Sequence, residues 1–224
     1  SAGTFVNRPP RVKFGTVGLP MPGTEVHIDE DGEVLLRGPG NMRGYHNLPE
    51  ETAATLDADG WLHTGDIGEL DDEGFLRITD RKKDLIKTSG GKYVAPQNIE
   101  TQFKAVCPYV SHMVVHGDGR NYCTALIAVD PEAIVPWAEQ NGLAETGYAE
   151  LVTRPELRAM LAEHVEKLNR QLPRWETIKE FAVLPADLTI EAGELTPSLK
   201  MKRRVVEQKY RELLDAMYTG ARTG

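Results

Sequence analysis

Four short segments hold the side chains with the most to offer chemically: Trp61-Leu62-His63-Thr64-Gly65-Asp66, Asp80-Arg81-Lys82-Lys83, Lys87-Thr88-Ser89-Gly90-Gly91-Lys92, and Gly193-Glu194-Leu195-Thr196-Pro197-Ser198-Leu199-Lys200. Asp66 follows a glycine directly after a strand-like stretch. A carboxylate on such a turn accepts two hydrogen bonds from vicinal hydroxyls, the chemistry of ribose recognition. It serves equally to cap the amides of its own turn. Arg81 offers a guanidinium fork suited to phosphate or ribose oxygens, or to a salt bridge with Asp80 or Asp84. Ser89-Gly90-Gly91 lets a ligand approach bare backbone, or simply makes a hairpin turn; Lys87 and Lys92 flank it and attract anions. Lys200 sits in a proline- and threonine-bearing loop, where a mobile ammonium stabilises charge developing on a phosphoryl group. The plainer alternative is one more exposed cation in the run Lys200-Met201-Lys202-Arg203-Arg204.

Composition narrows the classes. The chain has 224 residues, 40% hydrophobic and 27% charged, enough for one large core or two modest ones. Net charge is −8, spread unevenly: residues 1–80 hold 6 basic against 15 acidic side chains, the remainder 20 against 19. The change falls at Asp80-Arg81 and predicts two modules. An acidic first module argues against nucleic acid, whose backbone needs a basic face. Of the six histidines only His112 and His116 have regular spacing, and in a strand that gap puts them about 13 Å apart. No transition-metal site is expected. Cys107 and Cys123 lack metal or redox spacing and read as reduced, buried thiols. No apolar run reaches the ~20 residues a membrane helix needs.

The elements that must position these residues differ between the modules. In the first, Glu25–Ile28 and Glu33–Arg37 read as a hairpin about an Asp-Glu-Asp-Gly turn, followed by a short helix from Leu48-Pro49. Two further strands, Trp61–Thr64 and Phe75–Ile78, flank an acidic turn at Asp71–Gly74. Many short strands punctuated by glycine and proline predict part of a small β-barrel or sandwich. In the second, a helix opens at Pro96, and Ser111–His116 with Thr124–Val129 form a hairpin about Gly117-Asp118-Gly119. Leu157, Met160, Leu161, Val165 and Leu168 make one amphipathic helix; Val206, Tyr210, Leu213, Leu214 and Met217 make another. The expected fold class is mixed: a partial β-barrel subdomain followed by an α+β domain of helices on antiparallel strands.

The four segments, in this order, resemble the adenylate-forming superfamily of acyl-CoA synthetases, luciferases and peptide-synthetase adenylation domains. Gly32-Glu33-Val34 through Gly38, Arg43-Gly44-Tyr45 and Pro49-Glu50-Glu51-Thr52 resemble the family's stretch before its ribose-binding aspartate. Within the superfamily, Lys82 to Pro96 and Gly193 to Arg204 are most similar to long-chain fatty acyl-CoA synthetases. The usual lysine loop has glycine before the lysine; here Leu199 stands there, as in the long-chain subfamily. Ser1 to Phe5 resembles the stretch just after the family's metal-associated Tyr-Gly-x-Thr-Glu motif.

The resemblance implies that Asp66 and Arg81 bind the nucleotide of ATP, that Lys83 is the hinge, and that Ser89, Gly90 and Gly91 line the pantetheine tunnel of CoA. It makes Lys200 the catalytic lysine of adenylation and Lys87 a candidate for the second half-reaction. Residues 1–80 become the distal barrel end of a large amino-terminal domain, 81–218 a C-terminal α+β lid domain, and 219–224 a tail. The implied activity is that of an AMP-forming long-chain fatty acid–CoA ligase in the cytoplasm, a peripheral membrane contact being left open. ATP, fatty acid and CoA are its small-molecule substrates. Mg2+ would be held upstream by the missing amino-terminal domain, which is also the implied protein partner, and the piece alone is expected to be inactive. Two alternatives stay open: an adenylating domain that loads a carrier protein or reductase, and a non-catalytic interaction module derived from the lid.

Overall fold

The computed structural model describes residues 3–219. The expected tail at 219–224 lies, beyond Thr219, outside the described residues, as do Ser1 and Ala2. The chain divides into two compact units at Leu85/Ile86.

The first unit is built from short antiparallel pairs. β1 (Phe5–Val6) pairs with β2 (Leu19–Pro20). A four-stranded sheet follows in sequence order: β3 (Glu25–Ile28), β4 (Glu33–Arg37), β5 (Leu62–Leu70) and β6 (Leu76–Arg81), with helix α1 (Pro49–Thr55) between β4 and β5. Val34, Leu36, Leu62 and Leu76 form its small core, as expected for strands that alternate inward and outward side chains. Among the described residues the sheets are small and none closes into a barrel. β5 is longer than its sequence suggests. Gly65 takes a left-handed φ of +69° inside it, so a residue that reads as a strand end is a bulge within one continuous strand. Asp66 therefore lies in mid-strand and not on a turn. A single 3-10 turn, Lys82–Asp84, ends the unit.

The second unit opens with a two-stranded hairpin, β7 (Ile86–Lys87) and β8 (Tyr93–Val94). Helix α2 (Pro96–Val106) leads to β9 (Val110–His116) and β10 (Cys123–Val129). Short helices α3 (Val135–Gln140) and α4 (Tyr148–Leu151) precede α5 (Pro155–Asn169), and β11 (Ile178–Val183) joins β10 in parallel. The sheet order is β11-β10-β9, so the expectation of purely antiparallel strands is corrected by one parallel edge strand. Every residue of β10 is buried, as required of a central strand covered on both faces. Ile99 and Phe103 of α2 and Leu157, Leu161 and Leu168 of α5 pack against one face. Leu184, Leu188, Leu195, Val206, Tyr210 and Leu214 pack on the other. The apolar run after residue 202 forms two helices, α6 (Arg203–Lys209) and α7 (Arg211–Thr219), broken at Tyr210. The hydrogen bond of Tyr210 Oη to the buried Glu194 carboxylate, 3.3 Å, ties the break to the loop before it.

Candidate functional site

In the first unit, strand register brings two of the singled-out residues together. Asp66 of β5 lies directly opposite Arg81 of β6, so their side chains share a face. Arg81 Nε meets Asp66 Oδ1 at 2.8 Å, with the arginine side chain 55% and the aspartate 27% exposed. The guanidinium thus pairs with Asp66, while Asp80 accepts the backbone N–H of Arg81 at 2.6 Å. One carboxylate oxygen and the outer guanidinium nitrogens keep their hydrogen-bonding capacity toward solvent, an acceptor beside donors that a vicinal diol matches.

Behind this pair lies Glu33, at the start of β4. Glu33 is 3% exposed. It accepts the Gly65 N–H at 2.8 Å and the Lys82 ammonium at 2.8 Å, with His63 Nδ1 3.2 Å away. Burial alone would raise the Glu33 carboxyl; Lys82, Gly65 and His63 together hold it below its ordinary range. Lys82 also reaches Asp31 at 2.7 Å, and Asp31 followed by Glu33 pushes its ammonium well above the usual lysine range. Lys83, next along the chain, is exposed in the 3-10 turn.

In the second unit, Ser89-Gly90-Gly91 forms the tip of the β7–β8 hairpin, closed by Thr88 N–H to Lys92 O at 2.9 Å and Gly91 N–H to Thr88 O at 2.8 Å. Ser89 N–H donates to Arg120 O at 2.9 Å and Ser89 Oγ bonds Asn121 at 2.6 Å, which docks the tip onto the β9–β10 turn. Both glycines are exposed. A methyl group added at Gly91 would meet nothing within 4 Å, and at Gly90 only Thr88 Oγ1 at 4.0 Å, so packing does not demand glycine at either position. Lys87 Nζ lies 5.3 Å from the centre of the Tyr93 ring, and Lys92 likewise from Trp175.

Lys200 is exposed at the tip of a loop whose limbs are held by a bridge between Leu195 and Met201. Thr196 organises the tip: its N–H donates to Lys200 O at 2.8 Å, its carbonyl accepts Leu199 N–H at 2.8 Å, and its Oγ1 accepts Lys200 N–H at 3.0 Å. Leu199 adopts φ +58°, the left-handed region. Glu194, 1% exposed, anchors one limb through Lys209 at 2.7 Å, raising that lysine above its ordinary range. Arg203 anchors the other: its Nη2 donates to both oxygens of the buried Glu100, 2.8 and 2.9 Å. The basic run is therefore not one solvated cluster: Arg203 is locked inward while Lys200, Lys202 and Arg204 are exposed.

Other reactive groups are quiet. Cys107 and Cys123 are free and buried; burial raises both thiols, Cys123 to about 11, so neither is a thiolate at neutral pH. His112 and His116 face Asp187 and Glu207. Among the described residues no group of three or more His, Cys, Asp or Glu is placed to hold a metal.

Residues 83–222 match the family described as AMP-binding enzyme C-terminal domain. The chain belongs to that family. The long-chain-fatty-acid–CoA ligase FadD15 of Mycobacterium tuberculosis is 41% identical over 219 residues, 97% of this chain and 36% of the relative. The human long-chain-fatty-acid–CoA ligase 6 is 33% identical over 233 residues, 98% of this chain and 33% of that protein. The chain thus spans about a third of the length of these curated relatives. Among solved structures, the A-PCP didomain of a carboxylic acid reductase from Segniliparus rugosus in complex with AMP matches with TM-score 0.66. Identity there is 25%, over 90% of this chain and 28% of that one.

Proposed function

We propose that this chain is the C-terminal part of an AMP-forming long-chain fatty acid–CoA ligase. A fatty carboxylate attacks the α-phosphorus of ATP, releasing pyrophosphate and forming an acyl-adenylate. The CoA thiol then attacks the acyl carbon, gives up its proton and releases AMP. The observation that carries the reading is the Asp66–Arg81 pair, held open to solvent on one sheet face. Asp66 accepts the two ribose hydroxyls and Arg81 donates to the nucleotide. Lys200 brings an ammonium to the α-phosphoryl oxygens as the poor carboxylate nucleophile attacks. Lys83 is the hinge at which the two half-reactions exchange, the bare Gly90-Gly91 tip with Ser89 lines the path of pantetheine, and Lys87 serves the thioester step.

The finer structural reading follows from the same assignment. The four-stranded sheet is the end of a barrel completed by strands preceding this chain, and residues 81–218 act as the mobile lid on that missing domain. Two free, buried thiols support a reducing compartment, and no described helix is long and apolar enough to cross a membrane. We place the ligase in the cytoplasm, with peripheral membrane contact following from its long-chain substrate. The likeness to a carboxylic acid reductase A-PCP didomain favours a second reading, in which the acyl group passes to a carrier protein. Assaying product with CoA alone or carrier alone separates the two.

Asp66→Asn in the intact protein tests the nucleotide assignment. It is expected to raise KM for ATP about tenfold or more, the loss of a charged acceptor from two hydroxyls, while KM for fatty acid stays constant. An unchanged KM for ATP overturns the assignment.

A further inference from the structure

The strand ladder that brings Asp66 to Arg81 is irregular on both sides of Asp66. Gly65 leaves ordinary strand geometry at φ +69°, and the β5–β6 register shifts between Ile67 and Gly68. The paired stretch that sets Asp66 opposite Arg81 and Ile67 opposite Asp80 is therefore short, bounded by an irregularity on each side. A bulge also orphans backbone N–H groups that must find another acceptor. Here that acceptor is Glu33, whose Oε1 takes the N–H of Gly65, the residue just before Asp66. Its Oε2 takes the ammonium of Lys82, the residue just after Arg81. One buried carboxylate thus holds both members of the pair by their chain neighbours. Asp31 adds a second anchor on the same ammonium at 2.7 Å.

We propose that Glu33 and Lys82 are positioning residues for the nucleotide-binding pair, an ionic clamp on a buried carboxylate that sets the separation of Asp66 and Arg81. The proposal rests on the ribose reading of that pair. Glu33 touches no substrate; it acts by holding the bulge at Gly65 and the end of β6. A buried carboxylate is tolerated only with its partners in place, and these partners all converge on the two segments that carry Asp66 and Arg81. Lys82, ion-paired to Asp31 and Glu33, immediately precedes the exposed Lys83.

The test compares ATP with 2′-deoxy-ATP in adenylation by the intact protein, for wild type, Glu33→Gln, Lys82→Met and Asp66→Asn. A clamp that only stabilises the fold lowers activity with both nucleotides equally. A clamp that places Asp66 against the ribose hydroxyls also lowers the preference for ATP. Glu33→Gln is expected to reduce the ratio of kcat/KM values by about tenfold, the worth of one well-placed hydrogen bond to an ordered group. Lys82→Met should move it in the same direction, because it removes the anchor next to Arg81. Lys82 has a side chain 42% exposed and its removal leaves Glu33 its Gly65 and His63 contacts, so Lys82→Met carries the test where Glu33→Gln does not fold. Wild-type preference in both clamp variants, with preference lost in Asp66→Asn, overturns the positioning role and leaves the nucleotide reading intact. Wild-type preference in Asp66→Asn as well overturns both.

Discussion

Leu199 holds the geometry of the lysine loop. Its backbone lies at φ +58°, where an L side chain costs roughly 1–2 kcal/mol. The side chain is 66% exposed, so packing recovers little of that cost. Glycine at this position would remove the strain. Against the gain stand the lost contacts of the leucine, about a third of the roughly 1.5–3 kcal/mol that full burial contributes, and the extra freedom of an unfolded glycine, about 0.5–1 kcal/mol. These terms nearly cancel, so Leu199→Gly should leave stability within about 1 kcal/mol of wild type. Valine differs, because a β-branched residue is a genuine outlier in this region. Leu199→Val drives the backbone toward extended geometry and breaks the Leu199 N–H bond to Thr196 O and the Lys200 N–H bond to Thr196 Oγ1. The ammonium then shifts by on the order of 1 Å, a misplacement worth about a hundredfold in rate. Pyrophosphate release by the intact protein, alongside its thermal midpoint, is the assay. Leu199→Gly should adenylate within about threefold of wild type and Leu199→Val roughly 30- to 100-fold slower. The midpoint should barely move, since Glu194 and Arg203 still pin the limbs. Equal adenylation rates in the two variants would refute the argument.

Lys200→Ala should slow pyrophosphate release by about a hundred- to thousandfold, the ~3–4 kcal/mol carried by one preorganised donor. Thioester formation from supplied acyl-adenylate should stay within a few fold, and undiminished pyrophosphate release would favour the non-catalytic module. Gly90→Ala meets only Thr88 Oγ1, at 4.0 Å, and should leave stability unchanged or raise it by about 0.4–1 kcal/mol. It should nonetheless slow the CoA step at least about tenfold; a loss shared equally by both half-reactions counts against a pantetheine path. Glu33 also sets a pH dependence. Its carboxyl is held below the ordinary 4.5, so the folded state binds that proton less readily than the unfolded chain does. The stabilisation is complete above that ordinary value and is lost as pH falls through the depressed one. Acid unfolding followed by tryptophan fluorescence should show a smaller loss of stability over that window in Glu33→Gln than in wild type.

How far the fold was legible depended on how local its causes are. The β3–β4 hairpin follows from four alternating residues and an Asp-Glu-Asp-Gly turn, and α5 from five apolar positions at three- and four-residue spacing. β5 reads too short because glycine usually ends strands, whereas Gly65 here sits in a bulge whose N–H is satisfied 32 positions away in sequence, at Glu33. β11 escapes notice because its Lys179 and Glu180 face solvent on an edge strand and blur the apolar pattern. The break at Tyr210 has no proline or glycine to announce it; its cause is tertiary, in the buried Glu194. Among the candidate residues, the pairing of Asp66 with Arg81 needed the register, which no spacing of 15 residues reveals.

The residues least visible in the sequence are three buried glutamates, and they share one physical logic. Glu33 pairs with Lys82, Glu194 with Lys209 and Glu100 with Arg203. Each stands behind an exposed segment assigned to chemistry: Glu33 behind Asp66 and Arg81, the other two behind Lys200. A reactive side chain must reach outward, so its own contacts cannot hold it, and precision has to come from the backbone beneath. A buried carboxylate suits that task because it strongly penalises loss of the cation and N–H groups that satisfy it, which ties the anchored geometry to those partners. Nothing in a list of residues separates such a glutamate from the solvated ones around it. Only its distance from water does, and that is a property of the folded chain.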